Sequence, residues 1–176
     1  QDATPDVIFG SGNANGAFTV DRQNGVELGL RTKLRFDGTG QPQNVFSSNG
    51  DGTYTWNTGS GGSSFPNPEW GFEWTVNTDY DDTSGLFIDD LTYEIGMDFD
   101  PSAATYYLSF DPITPPPPPA YPDHAIGDNS TPNGGGTIAT DAANYATLIA
   151  TKNVIQQSWR STFFDDPPYT FDPTAP

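Results

Sequence analysis

Oxygen-bearing side chains crowd the acidic segment 79–85 (DYDDTSG), and two further aspartates follow it at 89 and 90. Hard cations such as Ca²⁺ take about six to eight oxygen ligands, often from acidic loops. The segment is not an EF-hand, because Gly85 comes one residue late for the sharp turn and the closing glutamate is absent. An ordinary solvated acidic turn is the competing interpretation. The sequence nevertheless predicts a calcium site, with Ca²⁺ as the cofactor and these ligands: Asp79, Asp81, Asp82, Asp89 and Asp90.

Carboxylate pairs and a histidine are the side chains that could support hydrolysis. Glu69 and Glu73 would share one face of a strand, roughly 13 Å apart at about 3.3 Å per residue, which is farther than either class of glycosidase uses. His124 is the single histidine, so a Ser-His-Asp triad would have to use it, but no nucleophile-elbow pattern lies nearby. We therefore expect a protein that is not an enzyme, with a glycoside hydrolase as the remaining enzymatic alternative.

Tryptophan side chains could stack on sugar rings, as they do in carbohydrate-binding modules. Trp70 and Trp74 fall in the apolar register of a predicted strand, so we expect both of them in the core. Trp56 lies beside a Gly/Ser-rich loop and is therefore the predicted carbohydrate-binding residue of a lectin-like alternative.

Basic residues share one side of the strand predicted over 26–36. Its apolar residues alternate with Arg31, Lys33 and Arg35, three of the six basic residues of the chain. The first interpretation is an edge strand whose charged outer face prevents aggregation. In the alternative, this basic stripe opposes an acidic strand face that carries Glu94 and Asp98, either within the sheet or between molecules. These five residues form the predicted interface.

The segment 85–112 predicts a β-hairpin, around which we expect the other elements of the fold to pack. Odd positions from Leu91 to Phe99 are apolar and even positions are small or polar, which predicts a strand with one buried face. After a Pro/Ser turn, a second alternation runs over 106–111. The two strands predict a hairpin, and a lone hairpin is marginal in water, so other elements must cover its apolar face.

Turn signals cut the remaining chain into short pieces. Nineteen glycines and 17 prolines favour short strands, and Asn24-Gly25 is a strong hairpin turn. A stiff connector is predicted over 115–119 (PPPPP), and one short α-helix near 141–152. We therefore predict an all-β fold: a jelly-roll-like β-sandwich of about seven or more short strands, in a single domain over 1–176 that leaves room for a final strand or hairpin beyond Pro176.

Charge and composition exclude several classes of function. The net charge of −17 repels nucleic acid and anionic membranes and attracts cations. The absence of cysteine excludes disulfides and thiol catalysis, and no apolar run approaches the roughly 20 residues of a membrane span. The chain begins at Gln1 and not at Met, so we expect a processed chain, with removal of a signal peptide as one explanation and artificial trimming as the alternative.

Several stretches of the second half resemble secreted bacterial proteins that carry a sorting tail of the PEP-CTERM or VPLPA-CTERM type. These stretches are DDLTYEIGMDFDPS, YLSFDPI, DHAIGDNSTP, YATLIATKNVIQQSW and FFDDPPYTFDPTAP. The sorting tail itself, an apolar helix closed by a basic cluster, is absent from this sequence. The resemblance implies export to the bacterial cell surface or biofilm matrix, and it supplies no functional residues.

These observations lead to one expected function and one alternative. We expect a secreted, non-enzymatic structural or surface protein, matrix-like or filament-like, that associates with further copies or with other matrix components through strand edges and is stabilised by calcium. The alternative is a lectin-like module whose partners are glycans.

Overall fold

The computed structural model describes residues 2–3, 8, 17–37, 39, 41–45, 48–56, 70–98, 102–114 and 123–160. Predictions made for Glu69, for Phe99, for the proline run 115–119 and for the end of the chain lie outside the described residues.

Nine strands in two antiparallel sheets, together with one short helix, are the regular elements of the described chain. The strands are β1 Asp2–Ala3, β2 Phe18–Gln23, β3 Val26–Phe36, β4 Pro42–Val45, β5 Trp70–Asn77, β6 Ile95–Asp98, β7 Tyr107–Phe110, β8 Ala125–Gly127 and β9 Val154–Arg160, and the helix is α1 Ala142–Ile149. The larger sheet has the order β1-β2-β3-β5-β9-β8, with β4 also paired to β3, and β6 and β7 form the second sheet. The all-β class is confirmed, whereas the strand order does not establish a jelly roll.

The turn between β2 and β3 is the one that the sequence predicts. Asn24 and Gly25 have φ values of 52° and 81°, as a two-residue hairpin turn of the mirror-image type requires. The register that follows pairs Gln23 with Val26 and Thr19 with Leu30.

The main apolar core covers one face of the larger sheet at β5 and β9. Phe72 stands opposite Trp159, and Val76 stands opposite Ile155. The helix adds the buried Tyr145, and the second sheet packs its inner side chains on the same cluster: Ile95, Met97 and Phe110.

The orientation predicted for β3 is wrong. Leu28 and Leu30 are 49% and 52% exposed, whereas Arg31 and Lys33 are 0% and 4% exposed. The strand is not an edge, since β2 and β5 flank it on opposite sides. Alternation along a strand separates two faces but does not say which face is covered. The buried cations of the polar face are compensated by a buried carboxylate, that of Glu73.

The hairpin of β6 and β7 forms where the sequence predicts it. Ile95 pairs with Phe110 and Met97 with Leu108. Burial alternates over 91–98 as expected, but only four residues of each strand are paired. A single 3₁₀ turn, Ile88–Asp90, precedes this segment. The hairpin forms a sheet of its own on the core, so it is one layer of the fold and not its centre.

The helix forms within the predicted segment 141–152 and is capped at its first turn. Asp141 accepts a hydrogen bond from the backbone amide of Asn144 at 2.8 Å, as an N-cap residue does. The eight-residue helix directs Tyr145 inward, where its hydroxyl donates to the carbonyl oxygen of Ile113 at 2.6 Å.

Candidate functional site

The acidic segment 79–85 is tied together by its own carboxylates. Asp79 Oδ1 accepts from the amide and the hydroxyl of Ser84, at 2.8 and 3.0 Å. Asp81 Oδ1 accepts from the hydroxyl of Thr83 at 2.6 Å. Burial opposes ionisation of Asp79, but hydrogen bonds from the amides of Gly85 and Ser84 outweigh it and lower the pKa of this carboxyl. These carboxylates act first as turn-forming groups.

The predicted calcium ligands do not converge in the described part of the chain. Asp82 accepts from Asn129 Nδ2 at 2.8 Å, Asp90 accepts from the amide of Phe87 at 2.8 Å, and Asp89 is exposed. Among the described residues, no three carboxylate or histidine side chains form a group that could hold a metal ion. Calcium binding stays a prediction, without a preformed site in these residues.

The predicted interface divides into a buried half and an exposed half. Arg31 Nε donates to Glu73 Oε2 at 2.5 Å, and Lys33 Nζ pairs with Glu73 Oε1. Burial lowers the pKa of Lys33 more than the charge of Glu73 raises it, and the same balance holds for Arg31. The predicted outer basic stripe is therefore wrong for Arg31 and Lys33, which are interior. Arg35 is half-buried.

The acidic half of that interface lies on the outer face of the hairpin. Glu94 and Asp98 are both exposed there, and Asp98 Oδ1 accepts from the backbone amide of Tyr106 at 2.9 Å. In the structure, the acid that pairs with Arg31 and Lys33 is Glu73 of the neighbouring strand.

Trp56, the predicted sugar-stacking residue, is half-buried. Its indole Nε1 donates to the Thr32 hydroxyl at 2.5 Å, which fixes the ring against β3. Trp74 is 3% exposed, which confirms its assignment to the core.

His124 is a core residue. The Tyr145 hydroxyl donates its proton to the carbonyl oxygen of Ile113. Tyr145 Oη must therefore accept the 2.9 Å hydrogen bond from His124, which places the imidazole proton on Nδ1. Burial lowers the pKa of His124 to about 3, against weaker opposite effects of Gln157 and Asp111. A neutral, enclosed imidazole is a structural group, and no serine is among its contacts in the described part of the chain.

The concave site lies on the other, polar face of the larger sheet, where the sequence does not predict it. A cleft of about 200 Å³ opens there, with Thr75 of β5 and Val154 and Gln156 of β9 among the residues that line it. One part of its lining comes from the β2–β3 hairpin and the acidic segment: Arg22, Glu27 and Tyr80. Another part comes from the loop after β8: Asp128, Asn129 and Thr131.

Charged groups of the cleft occur in pairs. Arg22 donates to Glu27 Oε2 through Nε and Nη2, at 2.7 and 2.6 Å, and its guanidinium lies 5.2 Å from the centre of the Tyr80 ring. Asp128 pairs with Lys152 at 2.5 Å. The hydrogen bond from Lys152, together with those from Ser130, holds the pKa of Asp128 well below its usual range.

An amide network fixes one end of the cleft. Asn77 Nδ2 and Asn153 Nδ2 both donate to Asn129 Oδ1, at 2.8 and 2.9 Å, and Asn129 Nδ2 donates to the carbonyl oxygen of Asp79 at 2.7 Å. The acidic segment therefore shapes the cleft through Asn129 and Tyr80.

Comparisons with known proteins do not assign a family. No protein-family model, no curated protein and no solved structure matches this chain. Within the ranges that the structure describes, no helix is long and apolar enough to cross a membrane.

Proposed function

We propose that this chain is an extracellular structural or surface protein, without enzymatic activity, that associates with further copies through the hairpin of β6 and β7. The observation that carries the proposal is the hairpin itself. It is a separate two-stranded sheet whose outer edges pair with no other strand among the described residues, and it exposes Tyr106 and Tyr107 to 63% and 59%.

The hairpin is held firmly enough to present those edges. Its inner side chains pack on the main core, so the outer face has a fixed orientation. Unpaired strand edges offer rows of backbone donors and acceptors to a further strand. The Tyr107 ring lies against Gly96, so close that a methyl group added at Gly96 would stand 3.4 Å from the ring. Because Gly96 has no side chain, the ring lies flat on the outer face of the hairpin at this point.

Charge sets the conditions for association. The net charge of −17, with Glu94 and Asp98 on the same face as Tyr107, makes copies repel one another at low salt. Counterions screen such repulsion over about 10 Å at 0.1 M salt. Calcium would act in this proposal as a divalent counterion between acidic surfaces, which agrees with the calcium dependence expected from the sequence.

Light scattering and electron microscopy test the proposal. We expect association to rise with NaCl, and to rise further with CaCl₂ at equal ionic strength. Replacing both hairpin tyrosines (Tyr106→Ser and Tyr107→Ser) should weaken it. The matched control is Phe87→Ser, which removes another exposed ring, 44% accessible, outside the hairpin. A monomer in every condition contradicts the proposal, and so does unchanged association of the double variant.

Binding of glycans is the second candidate function. The half-buried Trp56 supports it little, because its indole donor already serves Thr32. The cleft on the polar face supports it more strongly.

A further inference from the structure

We propose that the cleft between the β2–β3 hairpin and the loop after β8 binds one neutral sugar ring or a similar small polyol. This site shares no residue with the hairpin of β6 and β7. The inference rests on the second candidate function, glycan binding, and names its site and the class of ligand.

The size of the cleft limits the ligand. Its volume of about 200 Å³ is below the roughly 300–1,000 Å³ of pockets that hold drug-sized ligands. A single ring with its hydroxyl groups is the class that such a volume accommodates, whereas a nucleotide or a folded peptide segment is too large.

The charges of the cleft favour a neutral ligand. Arg22 is neutralised by Glu27, and Asp128 is neutralised by Lys152. A charged ligand would have to compete with one of these pairs. A hydroxylated ligand can use the remaining donors and acceptors without disturbing either pair.

A carboxylate in the cleft lining points to such a ligand. Glu27 is 4% exposed and lines the cleft, and both bonds from Arg22 go to its Oε2. Glu27 Oε1 has no hydrogen-bond partner among the described residues. Tyr80 also lines the cleft, and its hydroxyl is likewise without a partner in the described part of the chain. A carboxylate oxygen accepts from a sugar hydroxyl, and a phenol donates to or accepts from another.

The cleft is fixed before any ligand arrives. The network of Asn77, Asn129 and Asn153 joins the loop after β8 to the sheet and to the acidic segment. Gln156 Nε2 donates to the Thr75 hydroxyl at 3.0 Å on the sheet below. Groups that are already ordered lose little further entropy on binding.

Calorimetric titration and ligand-observed NMR test the site with three neutral probes, glucose, galactose and mannose, and with two charged ones, glucuronate and glucosamine. We expect at least one neutral sugar to bind, and the charged probes to bind more weakly. Tyr80→Phe removes a single hydroxyl and should weaken binding about two- to tenfold. Glu27→Gln keeps the size of the side chain and should weaken binding by about tenfold or more.

Tyr106→Phe is the matched control, because it removes a phenol hydroxyl from an exposed residue outside the cleft. Melting temperatures show whether each variant is folded. If Glu27→Gln is unfolded, the affinity of Tyr80→Phe for the neutral sugar still tests whether the cleft is the binding site. The proposal is overturned if no neutral sugar binds, if a charged sugar binds more tightly, or if Tyr80→Phe binds as the wild type does. Scattering of Tyr80→Phe and Glu27→Gln, which lie outside the hairpin, should show unchanged self-association, so the two proposals can fail separately.

Discussion

Arg31 and Glu73 stand opposite each other in the register of β3 and β5, and both side chains are fully buried. The guanidinium also lies 3.8 Å from the centre of the Phe18 ring, so a cation is enclosed between an aromatic face and a carboxylate. Lys33, two residues along the same strand, uses the other oxygen of Glu73. One carboxylate thus compensates two cations on the inner polar face of the sheet.

Removal of that carboxylate should destabilise the fold strongly. Glu73→Gln leaves Arg31 and Lys33 buried without their counter-charge, and breaking a buried pair costs about 3–5 kcal/mol. The free energy of unfolding, measured in urea, should fall by that amount. Glu94→Gln makes the same chemical change at an exposed site and should shift it by less than about 0.5 kcal/mol. Equal effects of the two substitutions would show that the buried group contributes no more than a surface charge.

This arrangement shows how far the sequence predicts the fold. Period-two alternation locates β3 and the hairpin, and Asn24-Gly25 locates the turn before β3, because these are local signals. The partner of Arg31 is not given by such a signal, since Glu73 lies 42 positions away in the chain. Alternation alone predicts that the leucine face is buried, but Leu28 and Leu30 are exposed although they lie on the same sheet face as Val76 and Trp74 of the core.

The cleft could not be predicted for a similar reason. Its lining comes from separate segments near residues 8, 22–27, 75–80, 128–131 and 154–156, which only the strand order brings together. The sequence of β9 shows only that polar Gln156, Gln157 and Ser158 interrupt an apolar run. The structure buries all three, so both faces of β9 are covered.

His124 should make stability depend on pH. Its folded pKa of about 3 is depressed from 6.5, so the unfolded chain binds more protons between those values. Above pH 6.5, His124 is neutral in both states and does not lower the free energy of unfolding. As pH falls below 6.5, the free energy of unfolding decreases by about 1.4 kcal/mol per pH unit. The imidazole packs edge-on against Trp74 and bonds to Tyr145, so a proton added to it in the folded protein would stay enclosed in the core.

His124→Gln provides the comparison, because an amide can donate to Tyr145 without titrating. We expect the free energy of unfolding of the wild type to fall by about 2 kcal/mol more than that of this variant between pH 6.5 and 5. Acidic residues titrate in both proteins and cancel in the difference. Parallel pH profiles would mean that His124 is hydrated in the folded protein.

Gly25 should couple the stability of the fold to the shape of the cleft. A methyl group at this position would lie 3.0 Å from the Thr83 hydroxyl and 3.1 Å from Ser84 Cβ, and the carbonyl oxygen of Gly25 accepts from the amide of Tyr80 at 2.9 Å. Gly25→Ala therefore has two costs. An alanine at a positive φ costs about 1–2 kcal/mol, and the clash with the acidic segment is added to that.

Gly50→Ala is the matched control for this substitution, since its φ of 79° is similar and a methyl group there would meet nothing within 4 Å. Both variants should lose about 1–2 kcal/mol in urea unfolding, and Gly25→Ala should lose roughly 1 kcal/mol more. If the cleft binds sugar, Gly25→Ala alone should also weaken that binding, because Tyr80 moves with the acidic segment. Equal stability and equal sugar binding in the two variants would show that the turn and the cleft are independent.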